Sequence, residues 1–198
     1  GTRRPVSHYS LGWLPRWLEL TGRAAPLVNA VLRTSLAKRA ATLGGISPDR
    51  VLPPFASRRA WKKAVSEALR GRSGSTPVVL FVDTFTRGLR PEVAGAAARV
   101  LAGADQQVSC SADACCGLTW ISTGQLDTAK KKLSHAARTL DDGTDRPIVV
   151  VEPSCAAALR KDLPELVPTE AARRVAARVH SFASYIDTLV RGGWSPTP

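Results

Sequence analysis

The sequence predicts an α/β protein: a three-layer βαβ domain around a short parallel sheet, preceded by an N-terminal helical arm. Three observations carry this. The runs Val78-Val79-Leu80-Phe81-Val82 and Ile148-Val149-Val150-Val151 are wholly apolar and rich in β-branched residues, as strands buried on both faces must be. Segments with helical apolar spacing alternate with these strands, which is the order of βαβ units joined by right-handed crossovers. Charge also divides the chain: the 198 residues carry 28 Lys and Arg against 16 Asp and Glu, net +12, of which residues 1–72 hold 14 and 3, and residues 73–198 hold 14 and 13.

In the arm, Leu11, Leu14, Trp17 and Leu18, then Leu27, Val31, Leu32 and Leu36, repeat at helical spacing, with Pro15 and Pro26 near the helix starts. Gly44-Gly45-Ile46-Ser47-Pro48-Asp49 and Leu52-Pro53-Pro54-Phe55 interrupt the pattern, because glycine frees the backbone and proline removes a donor. Trp61 to Leu69 reads as one more amphipathic helix. The small, polar stretch from Gly71 to Pro77 coincides with the charge step, so the division is expected between an arm, 1–72, and an α/β domain, 73–198.

After the first strand, Pro91 to Ala102 is an Ala-rich helix with proline in its first turn, and Gln107 to Cys110 a short strand. Gly124 to Leu140 reads as a helix that Ser122 or Thr123 can cap. Ile148 to Val151 is the next strand, and Ser154 is the expected cap of a helix running through Leu159. Glu170 to Val190 reads as one or two helices with Val175, Val179, Phe182, Ile186 and Leu189 on one face.

Composition, 44% hydrophobic and 22% charged, excludes a disordered or collagen-like chain. No apolar run approaches the ~18–20 residues needed to span a bilayer, and Gly1-Thr2-Arg3-Arg4-Pro5 lacks the apolar core of a secretory signal, so the reading is cytoplasmic. The absence of methionine points to a piece of a larger polypeptide. Basicity invites a nucleic-acid reading, but Trp13, Trp17 and Trp61 fall in helical phase with apolar neighbours, which packing explains more simply than base stacking. Nucleic acid is therefore not the expected partner. The arm is read instead as a docking surface for acidic protein, with peripheral contact to anionic lipid at the inner membrane face as the alternative.

The cysteines carry the chemistry. Cys110, Cys115, Cys116 and Cys155 all lie at or just after the C-terminal end of an expected strand, and in an open parallel sheet those ends form the rim where ligands bind. The spacing therefore predicts that the four thiols converge. A disulfide between Cys115 and Cys116 would close a strained eight-membered ring, so adjacent thiolates are better explained as soft ligands to iron or zinc. Gly117 lets the backbone bend closely around a bound centre. Cys155, after Ser154, falls in a first helical turn where free backbone donors favour a thiolate. Cys110 reads equally well as a small buried hydrophobe, and a nucleophilic role for Cys155 would need His8, His135 or His180 as its base.

Val79-Leu80-Phe81-Val82-Asp83-Thr84-Phe85, Pro91-Glu92-Val93, Cys115-Cys116-Gly117, Gly124 and Glu152-Pro153-Ser154-Cys155 together carry a resemblance. The segment from Val78 to Pro164 resembles the CCG cysteine-rich domain of iron–sulfur oxidoreductases, the group that includes heterodisulfide reductase, the iron–sulfur proteins of glycolate and lactate oxidation, and the C-terminal part of FAD-linked 2-hydroxy-acid oxidases. Residues 1–72 look like the helical connector that precedes that domain. The resemblance implies an electron-transfer or acceptor-docking module that does not itself act on the organic substrate. FAD would belong to a further domain or a partner, and ferredoxin-type domains of the same chain or complex would be its neighbours. It also implies a [4Fe–4S] cluster, with Zn²⁺ or no metal as the alternative, on Cys115, Cys116 and Cys155, with Gly117 alongside and Cys110 or Asp83 as fourth ligand. Where many such domains carry a cysteine at the end of the first strand and another three residues after the last motif, this chain has Asp83 and Ala158.

Overall fold

The computed structural model describes residues 12–35, 53–111 and 114–196, together with His8, Tyr9, Ala37, Arg39, Thr42 and Ser47. The expected apolar positions Leu11 and Leu36, the Gly44-Gly45 break and Leu52 lie outside the described residues. In chain order the helices are α1 (Leu14–Thr21), α2 (Ala25–Leu32), α3 (Ala60–Leu69), α4 (Thr84–Leu89), α5 (Pro91–Gly103), α6 (Leu118–Ser122), α7 (Leu126–Leu140), α8 (Pro153–Ala157), α9 (Leu163–Leu166), α10 (Glu170–Arg178) and α11 (Phe182–Arg191). A π-helical turn, Ala158–Asp162, joins α8 to α9.

Four parallel strands, β1 (Thr76–Phe81), β2 (Gln106–Cys110), β3 (Ile148–Val150) and β4 (Val179–Ser181), form the sheet in the order β2-β1-β3-β4. Side chains alternate across a strand, so each run feeds two cores. Val79, Phe81, Ile148, Val150 and Val179 enter one, where Leu133, Ala136 and Leu140 of α7 and Leu159, Leu163 and Val175 meet them. Val78, Leu80, Val82 and Val149 enter the other, under Ala94, Ala98 and Leu101 of α5 and Trp61 and Val65 of α3. The step from β1 to β2 runs one way along the sheet and the step from β2 to β3 the other, so right-handed crossovers put α5 and α7 on opposite faces. The α/β class read from the apolar runs is the class observed.

Several boundaries differ from the sequence reading. Val179-His180-Ser181 is a strand, not helix, pairing with Ile148-Val149-Val150 at the sheet edge. The chain changes face there: Val175 and Val179 pack in the first core, Phe182, Ile186 and Leu189 against the second. Three residues are too few to display a period of two, so this strand had no signature. The helix expected from Gly124 starts at Leu126, because Gly124 holds φ +67. Ser122 and Thr123 do not cap it; their hydroxyls donate back to the carbonyls of Leu118 and Thr119, each at 2.8 Å. The cap of α8 is Glu152, which accepts from the Ser154 amide, and Pro153, having no N–H to lose, takes the first helical position.

The charge step at 72 is no break in packing. Helix α3, counted with the arm in the sequence, buries Trp61, Val65 and Ala68 in the second core against α5. Ahead of it, α1 buries Leu18, and Asn29 of α2 pins the extended Phe55 backbone, accepting from its N–H at 2.8 Å and donating to its carbonyl at 2.9 Å. Among the described residues no helix is long and apolar enough to cross a membrane.

Candidate functional site

The order β2-β1-β3-β4 reverses direction at β1, and in such sheets the crevice outside the carboxyl ends at the reversal is where ligands bind. Three segments leave the sheet there. Val82-Asp83 follows β1, the chain after β2 supplies Cys115-Cys116-Gly117, and Glu152 to Cys155 follows β3. Gly117 stands at φ +74 as the residue before α6, a left-handed conformation that costs an L-residue roughly 1–2 kcal/mol and glycine nothing. That turn presents the amides of Gly117 and Leu118 to the sulfurs of Cys115 and Cys116, respectively.

The result is a chain of thiols, buried at Cys116 and Cys155 and half-buried at Cys115. Cys116 Sγ lies 2.8 Å from Cys155 Sγ across 39 residues of sequence. Cys115 hydrogen-bonds Cys116, and the Thr84 hydroxyl reaches Cys115. All are free thiols. Cys115 is held well above the ordinary thiol range, first by the hydrogen bond shared with Cys116, then by burial, with the Gly117 amide and Thr84 only partly offsetting them. For Cys116 the hydrogen bond with Cys115 lowers the value, but the contact with Cys155 and burial outweigh it and the thiol is again raised. Neither is therefore a ready thiolate without an incoming cation.

The other expected ligands are placed elsewhere. Cys110 pairs with Leu80 at the end of β2 and packs with the second core, on the sheet face opposite Cys116 and Cys155. Burial pushes its thiol up to about 11, against the lowering effect of Lys62. Asp83 is buried and already occupied: Oδ1 accepts from the amides of Phe85 at 2.9 Å and Thr86 at 3.0 Å, and Oδ2 from the Thr86 hydroxyl at 2.5 Å. It is the cap of α4. The structure thus brings together Cys115, Cys116 and Cys155, and leaves Cys110 out of the cluster. His180 faces Tyr185 edge-on, with centroids 5.6 Å apart.

Two residues that sequence reasoning passed over complete the setting. Thr84 touches Cys115, and Arg87 Nη2 donates to Thr84 Oγ1 at 3.2 Å and to the Ala114 carbonyl at 2.8 Å, fixing the approach to the cysteine pair. The available signal was the Asp83-Thr84 pair directly behind a buried strand, a strand-end position where polar residues face the ligand rim.

Whether these residues suit a metal or cluster can be tested on the side chains themselves. Three soft donors converge, Cys116 and Cys155 buried and Cys115 half-buried, and in α6, which begins directly after Gly117, the buried Thr119 Oγ1 and Trp120 Nε1 have no hydrogen-bond partner among the described residues. Such orphans cost about 1–3 kcal/mol each unless something accepts from them. The donor chemistry fits a soft metal. The spacing is that of thiols packed against each other: two ligands of one tetrahedral zinc would lie about 3.8 Å apart at ~2.3 Å bond lengths, and among the described residues no group of three or more His, Cys, Asp or Glu side chains is arranged to hold an ion.

No family model, no curated protein and no solved structure matches this chain. The resemblance to CCG domains therefore rests on the motif residues alone.

Proposed function

We propose that the chain is a CCG-type, cysteine-rich electron-transfer and acceptor-docking module of an FAD-linked iron–sulfur oxidoreductase acting on 2-hydroxy acids. Cys115, Cys116 and Cys155 would hold its iron–sulfur cluster. The observation that carries the reading is the meeting of the vicinal pair with Cys155, 39 residues away, with sulfurs 2.8 Å apart at the switch point of the sheet. When bound, the cluster supplies one-electron transfer. The chain's own part is to present three thiols, bury two of them, Cys116 and Cys155, and aim the Gly117 and Leu118 amides at the sulfurs of Cys115 and Cys116, contacts that tune a potential. The basic arm, with Trp17, Leu20, Leu27 and Val31 exposed, supports attachment to the FAD-binding and ferredoxin-type parts of the enzyme.

Anaerobic purification and reconstitution, read by iron and sulfide assay and by EPR, tests this. Iron and sulfide in equal amounts, lost in Cys116→Ser and Cys155→Ser but kept in Cys110→Ser, is the expected result. A folded protein that takes up neither iron nor sulfide removes the cluster. The close-packed spacing of the thiols favours a second reading, a zinc-bound or metal-free module with a docking role alone, which predicts zinc by elemental analysis or four free thiols by titration.

A further inference from the structure

A cavity of about 680 Å³ opens between the arm and the α/β layers. Its wall carries Arg23, Arg58, Arg59, Lys62 and Arg87 against one carboxylate, Glu19. These cations come from separate segments: the turn after α1, the residues before α3, α3 itself and α4. The wall is pinned by backbone. The Ala56 amide donates to the Gly88 carbonyl at 2.7 Å and the Arg58 amide to the Gly22 carbonyl at 3.0 Å. Leu18 covers Gly88 so closely that a Cβ there would lie 2.9 Å from its Cδ2.

Among the described residues, Arg23, Arg58, Arg59 and Lys62 form no ion pair. Elsewhere on this protein basic side chains near carboxylates do pair, as Arg174 does with Asp141 and Arg178 with Asp142. Cations gathered around a concavity repel one another, and the field they focus into it attracts an anion from solution. Guanidinium groups also offer paired donors that match carboxylate and phosphate oxygens. The volume falls within the ~300–1,000 Å³ of small-molecule sites.

We infer that this cavity binds a small organic anion bearing carboxylate or phosphate groups. Arg58, Arg59 and Lys62 would clamp it, with Arg23 closing the rim. Arg87, fixed by Thr84 and the Ala114 carbonyl, forms the wall shared with the cysteine cluster, so the anion would sit directly across that wall from Cys115. The inference does not depend on what the cysteines hold.

Isothermal titration of the full chain with inorganic pyrophosphate and, separately, with citrate, at about 0.15 M salt to suppress diffuse attraction, tests it. The expected result is saturable one-to-one binding of at least one probe, with the tighter probe identifying phosphate or carboxylate as the preferred group. Arg58→Gln combined with Lys62→Gln should weaken it at least about tenfold. Lys130→Gln combined with Lys131→Gln, equal in charge but on α7, should leave it within about twofold. Arg58 and Lys62 are exposed, so the variant folds, as far-UV circular dichroism can verify. No saturable binding of either probe, or equal weakening by both pairs, overturns the assignment.

Discussion

Substituting Gly117 by alanine isolates the backbone device that holds the cysteine turn. Gly117 stands at φ +74, where an L-residue costs roughly 1–2 kcal/mol. A Cβ there would lie 3.4 Å from Leu133 Cγ and 3.5 Å from the Ala129 carbonyl, ordinary contacts that add no clash. The whole cost should therefore be conformational. Gly143 is the matched control, with φ +72 and nothing within 4 Å of a built Cβ. Both Gly117→Ala and Gly143→Ala should lose about 1–2 kcal/mol, agreeing within about 0.5 kcal/mol. Urea unfolding reads this as lowered midpoints at an unchanged slope. Two results would refute the reasoning. Gly117→Ala with wild-type stability would mean that the turn relaxes freely. A loss above about 3 kcal/mol beside a Gly143 loss near 1 would mean that packing around the sulfurs, not φ, holds it.

Two further outcomes follow from the same geometry. Asp83→Ala strands the amides of Phe85 and Thr86 and a buried hydroxyl, so it should cost about 2–3 kcal/mol and Asp83→Asn, which keeps an acceptor, about half as much; calorimetric melting temperatures unchanged in both would contradict the cap. Burial raises the Cys110 thiol to about 11, above the ~8.5 of an unfolded chain, so its contribution to stability is whole below pH 8.5 and is lost as pH rises toward 11. Cys110→Ala should flatten that part of the decline in urea midpoints between pH 8.5 and 11, whereas Cys115 and Cys116 keep theirs; identical slopes would remove the burial effect.

The cluster and the cavity make one arrangement when viewed from Thr84 and Arg87. Thr84 touches Cys115, and Arg87 bonds both Thr84 and the carbonyl ahead of the cysteine pair while lining the basic cavity. Both belong to α4, whose first turn is fixed by the Asp83 cap at the end of β1. A single carboxylate thus orients the helix whose Thr84 meets the cysteine pair and whose Arg87 lines the cavity. Asp83 stands where the resembled family often has a cysteine, and its hydrogen bonds give it a structural task in place of ligation.

The central strands were legible because β1 and β3 are buried on both faces, and a strand in that setting must be apolar throughout. Helix α5 was legible from its proline start and its alanines. β4 was not: its three residues are set by pairing with β3, a long-range contact with no local trace. Ser154 was misread as a cap because Glu152, two residues earlier, is also an acceptor, and local composition does not rank two acceptors that close together.

The sequence by itself determined the α/β class, the vicinal cysteines with their glycine, and Cys155 at the start of a helix, since each depends on local chemistry: burial pattern, residue type and backbone freedom. Only the tertiary structure decided which thiols meet. Cys110 and Cys116 are six residues apart, yet the pleat of β2 sends the first to the face of Leu80 while the turn at Gly117 brings the second to Cys155 on the other. Side-chain direction in a sheet reverses at every residue, so proximity along the chain does not determine which core a side chain joins.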